Sequence, residues 1–334
     1  MGVGKIKVFK ATSVRRGQVL LDTGLAAQRL GLDCEVIEDL AYSECDVAVV
    51  WGMPKERSGR SIASIERRRF RQDVFARHSG HVVVMEAPVL GRRVKAPANL
   101  PLLIRKLLPK FQTRKTLDPF AHYRVGLGGF PDEGGLALAP FCTGRWKDLS
   151  RRLGVPEPSP YRAEGRHILV IGQVNGDSSL RGMDINDWLL SACSELRAMT
   201  DRPIIVRPHP LARDFATNRL PEKLGTLGVG IDEVARPLAD SLRGAWSVVT
   251  FSSGAAVDAL IAGIPAISLS SASFAREVTD HRLADALAPG LHERLPWLDR
   301  LAAAQWCEDE IARGDVWHPL IKALSQGQPV RIAA

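Results

Sequence analysis

Two Rossmann-like α/β domains facing across a cleft are what this sequence predicts, and three observations predict them. Short apolar runs alternate with segments of helical period, the signature of a parallel sheet covered by helices. The alternation occurs twice along 334 residues, a length that accommodates two domains of ordinary size. Between the two series lies Pro156-Glu-Pro-Ser-Pro-Tyr-Arg-Ala-Glu-Gly165, where proline and glycine break both periods, and this is read as the interdomain linker. The expected domains are 1–160 and 161–334, with terminal helices packing back on the first.

The elements are justified in order. Ile6–Phe9 reads as a strand, and Gly17–Leu30 as a helix from its apolar spacing. Cys34–Ile37 and Asp46–Trp51 are strands, the latter nearly all apolar, as for a strand covered on both faces. Ser61–His78 is a helix carrying Arg67, Arg68, Arg69, Arg71 and Arg77, and Val82–Met85 is a strand ending at Glu86. Leu90–Pro160 is less regular, and its Val125-Gly-Leu-Gly-Gly-Phe130 reads as an acceptor-side or hinge loop. In the second half His167–Ile171, Pro203–Val206, Trp246–Phe251 and Ala266–Leu269 are strands, and Asp187–Met199 and Gly254–Ala262 are helices. Terminal helices are expected over Trp297–Ala312 and Leu320–Leu324.

The chemistry-bearing residues cluster at strand ends. Ile204-Ile-Val-Arg-Pro-His-Pro210 places a guanidinium and an imidazole where a strand stops, with prolines restricting the histidine's backbone. Arg207 supplies a forked donor suited to phosphate, and His209 a donor or a cation for a leaving diphosphate. Thr250-Phe-Ser-Ser-Gly254 places Ser252 and Ser253 before a helix, where hydroxyls and N–H groups accept an anion. A serine there is also an ordinary cap, and the two roles are compatible. Asp258, in the same helix, is placed to reach a ribose or to brace the loop. Gly172-Gln-Val-Asn-Gly-Asp-Ser-Ser179 follows the first strand of the second series, with Gly172, Gln173, Asp177 and Ser178 as donor contacts or simply a turn. In the first half Trp51 and Glu86 stand at strand ends; Glu86 is the candidate base, the alternatives being a surface carboxylate or an ion pair with Arg92.

Charge is unevenly divided. The net formal charge is +8, but residues 1–165 hold 28 Lys+Arg against 17 Asp+Glu, leaving 17 against 20 in the remainder. The excess implies a polyanionic partner for the first half, or arginine spread over solvated faces. Lys55, Arg57, Arg60, Arg67, Arg68, Arg69, Arg71, Arg92 and the Arg105–Lys115 segment are the candidate contacts to a phosphate backbone. The five cysteines are scattered without CxxC spacing, which argues against disulfides and zinc and for a reducing, cytoplasmic setting. No DxD, HExxH or GxxxxGK[ST] pattern is present, so no metal or P-loop is expected. No apolar run reaches the roughly 18 residues that span a bilayer, and the first residues lack a signal-peptide core.

Arg207-Pro-His-Pro210 followed by Ser252-Ser253 resembles the RxHP…SS pattern of GT-B glycosyltransferases: capsule-type Kdo transferases, bacterial sialyltransferases and CDP-glycerol glycerophosphotransferases. A wider set looks like a glycosyltransferase group common in bacteriophage genomes: Asp46–Gly52, Val125–Phe130, Gly172-Gln173…Asp177, Trp188, Arg207–Pro210, Ser252–Gly263 and Gln305-Trp306…Trp317. Thr250-Phe251 departs from the CDP-glycerol type, which usually has Asp-Tyr there. The resemblance implies a metal-independent transferase without a resident cofactor. Its UDP- or CMP-linked sugar donor would be held by Gly172, Gln173, Asp177, Arg207, His209, Ser252, Ser253, Gly254 and Asp258. It also implies a hydroxyl acceptor on the basic domain, held through Trp51 and the basic residues above. The acceptor implied is 5-hydroxymethylcytosine or a related pyrimidine in phage DNA, flipped from the duplex. Alternatives are a CMP-sugar transferase of capsule or lipopolysaccharide synthesis, an epimerase of the same fold, and a non-catalytic nucleic-acid-binding protein. Trp306 and Trp317 are expected to pack back across the cleft and couple its closure.

Overall fold

A computed structural model describes residues 3–12, 14–55, 61–91, 122–212, 214–217 and 219–326. Continuous apolar strands require cover on both faces, and both sheets have it. The first sheet contains β1 (Ile6–Phe9), β2 (Cys34–Ile37), β3 (Val47–Trp51), β4 (His81–Glu86), β5 (His122–Leu127) and β11 (Gln305–Cys307), in the order β11-β5-β4-β3-β1-β2. β1 to β4 pair in parallel, while β5 runs antiparallel between β4 and β11. The second sheet is wholly parallel, in the order β10-β9-β6-β7-β8, from β6 (His167–Ile171), β7 (Ile204–Arg207), β8 (Gly230–Ile231), β9 (Ala245–Thr250) and β10 (Ala266–Ser268). Each sheet has an apolar core on either face, giving two Rossmann-like layers that face one another in the GT-B manner.

The anticipated strands and major helices are present, with ends shifted by a few residues: Val14–Arg29, Ile62–Arg77, Ile185–Met199 and Ala255–Ile261 are helical. Two expectations are corrected. Residues 297–312 do not form one helix. Helix Leu295–Ala303 stops, β11 pairs with β5, and helix Glu308–Arg313 follows. The reason is tertiary: the Gln305 side-chain carbonyl accepts from the backbone N–H of Val89 and Leu90, each at 2.9 Å, and the strand completes the first sheet's edge. The last helix, Trp317–Gln326, then buries Trp317 in the first sheet's core, its indole donating to the Thr23 carbonyl at 2.9 Å.

The second correction concerns Val125–Phe130, which is no hinge loop. Its first three residues end β5, Gly128 turns the chain with a φ of +75°, and Gly126 and Gly129 are packing glycines. A Cβ on Gly126 would lie 2.6 Å from the Gly135 carbonyl, and one on Gly129 would lie 2.0 Å from Met53 Sδ. Residues 156–165 are tied to the second layer, with Ser159 N donating to the Ile261 carbonyl and Arg162 N to that of Gly263, both at 2.9 Å. Helix Arg145–Leu153, just before them, buries Trp146 and Leu149 in the same core as Leu169 and Val248.

Candidate active site at the facing switch points

In a doubly wound sheet the loops diverge where the strand order reverses, and a crevice opens at the carboxyl ends there. In the second sheet the chain goes from β6 outward to β7 and β8, then returns to β9 on the other side of β6. The crevice is therefore bounded by the loop after β6, Gly172–Ser179, and the loop after β9, Phe251–Gly254. A buried polar network joins them. The Gln173 amide donates to the Ser252 hydroxyl at 3.0 Å and to the Ser179 hydroxyl at 3.2 Å, while its carbonyl accepts from Ser252 N at 3.0 Å. Ser252 and Ser179 hydroxyls stand 3.0 Å apart. Asp177 accepts from Ser179 N and Oγ at 3.1 and 3.0 Å. Burial raises the Asp177 carboxyl, but the Lys55 ammonium and the Ser179 bonds outweigh it and hold it below the usual carboxylate value.

The structure thus brings Gln173, Asp177 and Ser252 together, but in a fixed frame rather than a row of open ligands. Ser253 precedes the N-cap Gly254 of the following helix, accepts from Ala255 N at 3.3 Å, and is only half-buried. Gly254 has an ordinary helical φ of −60°. Gly172 donates to the Arg207 carbonyl at 2.9 Å, with Leu189 against its α-carbon. Asp258 is exposed on the helix beyond the crevice.

After β7 the two expected phosphate ligands part. Arg207 is buried and turned inward. Its Nη1 pairs with Asp232 at 2.9 Å and also meets the Ser241 hydroxyl, while Nη2 donates to the Arg236 carbonyl at 2.6 Å. A guanidinium so committed braces the β7–β8 edge. His209 is half-buried, and its Nδ1 accepts from Leu211 N at 3.1 Å. That bond makes Nδ1 the acceptor and leaves the proton of a neutral ring on Nε2.

In the first sheet the order reverses between β1 and β3, so the crevice lies beside the loops that follow them. Trp51, at the end of β3, is packed edge-on against Tyr123 with centroids 5.3 Å apart, and the Arg16 guanidinium stands 5.2 Å from its ring centre. Trp51 is a core residue with one covered face, not an open acceptor platform. Glu86 ends β4 and both its oxygens are occupied. One accepts from Met53 N at 3.0 Å, the other from the buried Arg124. Its described partners are therefore the buried Arg124 and, through Met53 N, the β3 loop. Of the arginine run, Arg69 is exposed on the outer side of helix Ile62–Arg77 beside Glu66 and Asp73, Arg68 is half-buried, and Arg67 and Arg71 lie one turn apart on the inner side with Phe70 and Val74. The run is therefore split around the helix, not presented as one stripe. Arg57, Arg60, Arg92 and the Arg105–Lys115 segment lie outside the described residues.

The two crevices meet. Lys55, after β3, stands 3.4 Å from Asp177, after β6. To one side Arg181 pairs with Asp132 at 2.7 Å and Glu133 at 3.1 Å, and Ser271 reaches Asp132. Ala272 enters the first layer's core with Phe9, Met53 and Phe130, and Arg124 lies 4.7 Å from the Phe274 ring centre. Ser179, Arg16, Arg124, Arg181 and Asp232 were not singled out from sequence. Ser179 had a signal, its place in the loop after β6; the others are single charges whose partners lie far away in the chain. Among the described residues no three His, Cys, Asp or Glu gather as a metal site, and no helix is long and apolar enough to cross a membrane.

No family model matches the chain, and no curated protein matches it. Solved structures do. It is similar to the β-Kdo 2,7 transferase KpsC of Thermosulfurimonas dismutans at 17% identity, over 94% of this chain and 99% of that one, with a TM-score of 0.42. It is similar to the β-Kdo 2,4 transferase KpsC of the same organism at 16% identity, over 90% and 89%, with a TM-score of 0.44. The UDP-GlcNAc 2-epimerase of Methanocaldococcus jannaschii, in complex with UDP-GlcNAc and UDP, aligns at 12% identity over 97% and 100%, with a TM-score of 0.30. These are similarities of whole chains, and none assigns a residue.

Proposed function

We propose that the protein is a glycosyltransferase that moves a sugar from a nucleotide donor, held at the second sheet's crevice, to a hydroxyl acceptor held at the first. The observation that supports it most is the pair of switch-point crevices set face to face and joined through Lys55 and Asp177, 3.4 Å apart. Each crevice alone is an ordinary ligand site of its fold class; two in opposition bring two substrates together. The Gln173–Ser179–Ser252 network keeps the donor loops in place before any ligand arrives, which lowers the ordering cost of binding. His209 offsets charge on the departing phosphate. Glu86 acts by holding Met53 and Arg124.

For the acceptor, the basic first half supports 5-hydroxymethylpyrimidine DNA, and the inward turn of Arg67 and Arg71 favours a second reading, an acidic glycan of capsule or lipopolysaccharide type. One experiment separates them. The full chain is offered UDP- and CMP-sugars with hydroxymethylcytosine DNA in one arm and an acidic oligosaccharide in the other, and products are read by mass spectrometry. A mass gain of one sugar on nucleosides establishes the DNA acceptor; the gain on the oligosaccharide alone replaces it. Donor consumption without gain on either, with a changed sugar released, replaces the transferase by an epimerase. No donor binding at all removes the proposal.

A further inference from the structure

Lys55 belongs to the first layer by sequence and to the donor crevice by position. It comes four residues after β3 ends at Trp51, and its Nζ stands 3.4 Å from Asp177 Oδ2 in the loop after β6. The chain that carries it is anchored. Gly52 turns with a φ of +77° and donates to the Met85 carbonyl at 2.9 Å. Met53 is buried beside Phe130 and Ala272, and its N–H donates to Glu86 at 3.0 Å. Pro54 then restricts the backbone immediately before the lysine. The ammonium is therefore delivered to the mouth of the donor crevice by fixed backbone, while its own four-carbon stem can still redirect it.

The partner that holds it there is weak. Asp177 Oδ1 accepts from Ser179 N and Oγ at 3.1 and 3.0 Å, which fixes the carboxylate without help from the lysine. Both side chains of the pair stay partly exposed, so their attraction is screened and easily exchanged. A nucleotide phosphate carries more charge and more acceptor oxygens than one carboxylate, and it would draw the ammonium away. The described arginines at this end of the second sheet already have carboxylates: Arg207 and Arg236 pair with Asp232, and Arg181 pairs with Asp132 and Glu133.

We propose that Lys55 is a ligand of the donor's phosphate, contributed across the cleft: when a nucleotide enters the second layer's crevice, the ammonium leaves Asp177 for a phosphate oxygen. Calling that nucleotide a sugar donor rests on the transferase reading above; the exchange of carboxylate for phosphate does not. Lys55 thereby serves the donor, a different task from tracking the backbone of a nucleic-acid acceptor.

The full chain is titrated calorimetrically with CMP and UDP, and in parallel with cytidine and uridine, which lack the phosphate. In Lys55→Gln the affinity for the better-bound nucleotide is expected to fall about tenfold, as for loss of a charge-assisted bond, with nucleoside affinity unchanged. Lys55→Arg should recover most of that loss. Asp177→Asn keeps an oxygen for Ser179 and removes the competing charge, so nucleotide affinity there should rise or hold. Lys55 is exposed, so its variants should unfold at the wild-type midpoint. The proposal is overturned if Lys55→Gln binds the nucleotide as the wild type does, or if it loses nucleotide and nucleoside alike, the mark of a brace between layers. It is also overturned if Asp177→Asn weakens nucleotide binding as much as Lys55→Gln does, or if Lys55→Gln weakens only binding to a DNA duplex. Nucleotide binding that ignores Lys55 leaves the transferase reading standing, whereas binding of neither nucleotide removes both.

Discussion

Arg207 and Asp232 show a partner that the fold supplies to a residue chosen from sequence. Both side chains are buried, with 8% and 4% of their surface exposed, and they are 2.9 Å apart. Burial raises the Asp232 carboxyl, but its hydrogen bonds to Ser241 and Arg207 and the Arg207 charge hold it below the usual carboxylate value. A folded-state value below the unfolded one gives stability that is present above the unfolded value and lost as pH falls through the folded one. The pair therefore adds nothing pH-dependent near neutrality, and its loss begins below about pH 4. Asp232→Asn is expected to flatten acid unfolding in that window, read as denaturation midpoint against pH. Arg207→Ala, which strands a buried carboxylate, is expected to cost about 3–5 kcal/mol by chemical denaturation. Any loss of activity in it should follow the loss of folded protein. His209→Gln should do the reverse: it removes a donor without burying a charge, so kcat for transfer should fall about 10²–10³-fold with the unfolding midpoint unchanged.

At the scale of elements, β11 is the informative case. Three residues, Gln305-Trp-Cys307, interrupt a stretch of helical period and close one edge of the first sheet. The Gln305 carbonyl is the acceptor for two buried backbone N–H groups, so Gln305→Ala leaves both unmet. That change is expected to cost about 1–3 kcal/mol, and faster hydrogen exchange at Val89 and Leu90 is the specific readout; unchanged exchange there would show that the edge is held by other bonds. The longer strands were legible because burial on both faces leaves an unbroken apolar run, as in Val47–Trp51. β11 was not legible, since three residues carry too little period and their partner strand lies about 180 residues upstream. The glycines of Val125–Phe130 misled for a related reason. A glycine required because Met53 or Gly135 passes close by looks, in one dimension, like a glycine required by a flexible turn.

For the whole molecule, the ion pairs that join the layers are partly exposed, beside buried apolar contacts such as Ala272 in the first layer's core. Arg181 and Asp132 keep 41% and 28% of their side-chain surface, and Lys55 and Asp177 keep 45% and 37%. Exposed pairs of this kind are worth about 0–1 kcal/mol each, so they bias a closing equilibrium more than they hold the fold. Arg181→Ala is accordingly expected to raise the radius of gyration in small-angle scattering while leaving the unfolding midpoint within about 1 kcal/mol. A donor nucleotide should return it toward the wild-type value. If scattering is unchanged in the variant, the latch does not control closure.

Composition and pattern alone determined that the chain makes two α/β layers, because strand burial and helical period are local properties of the chain. They also placed the candidate residues in loops at strand carboxyl ends, where the ligand crevices of such sheets lie. Only the tertiary structure decided which partner each side chain meets there: Asp232 for Arg207, Arg124 for Glu86 and Gln173 for Ser252. The physical reason is the same in each case. A charged or polar group at a strand end is satisfied by whichever partner the fold delivers to it, and these partners come from 25 to about 80 residues away.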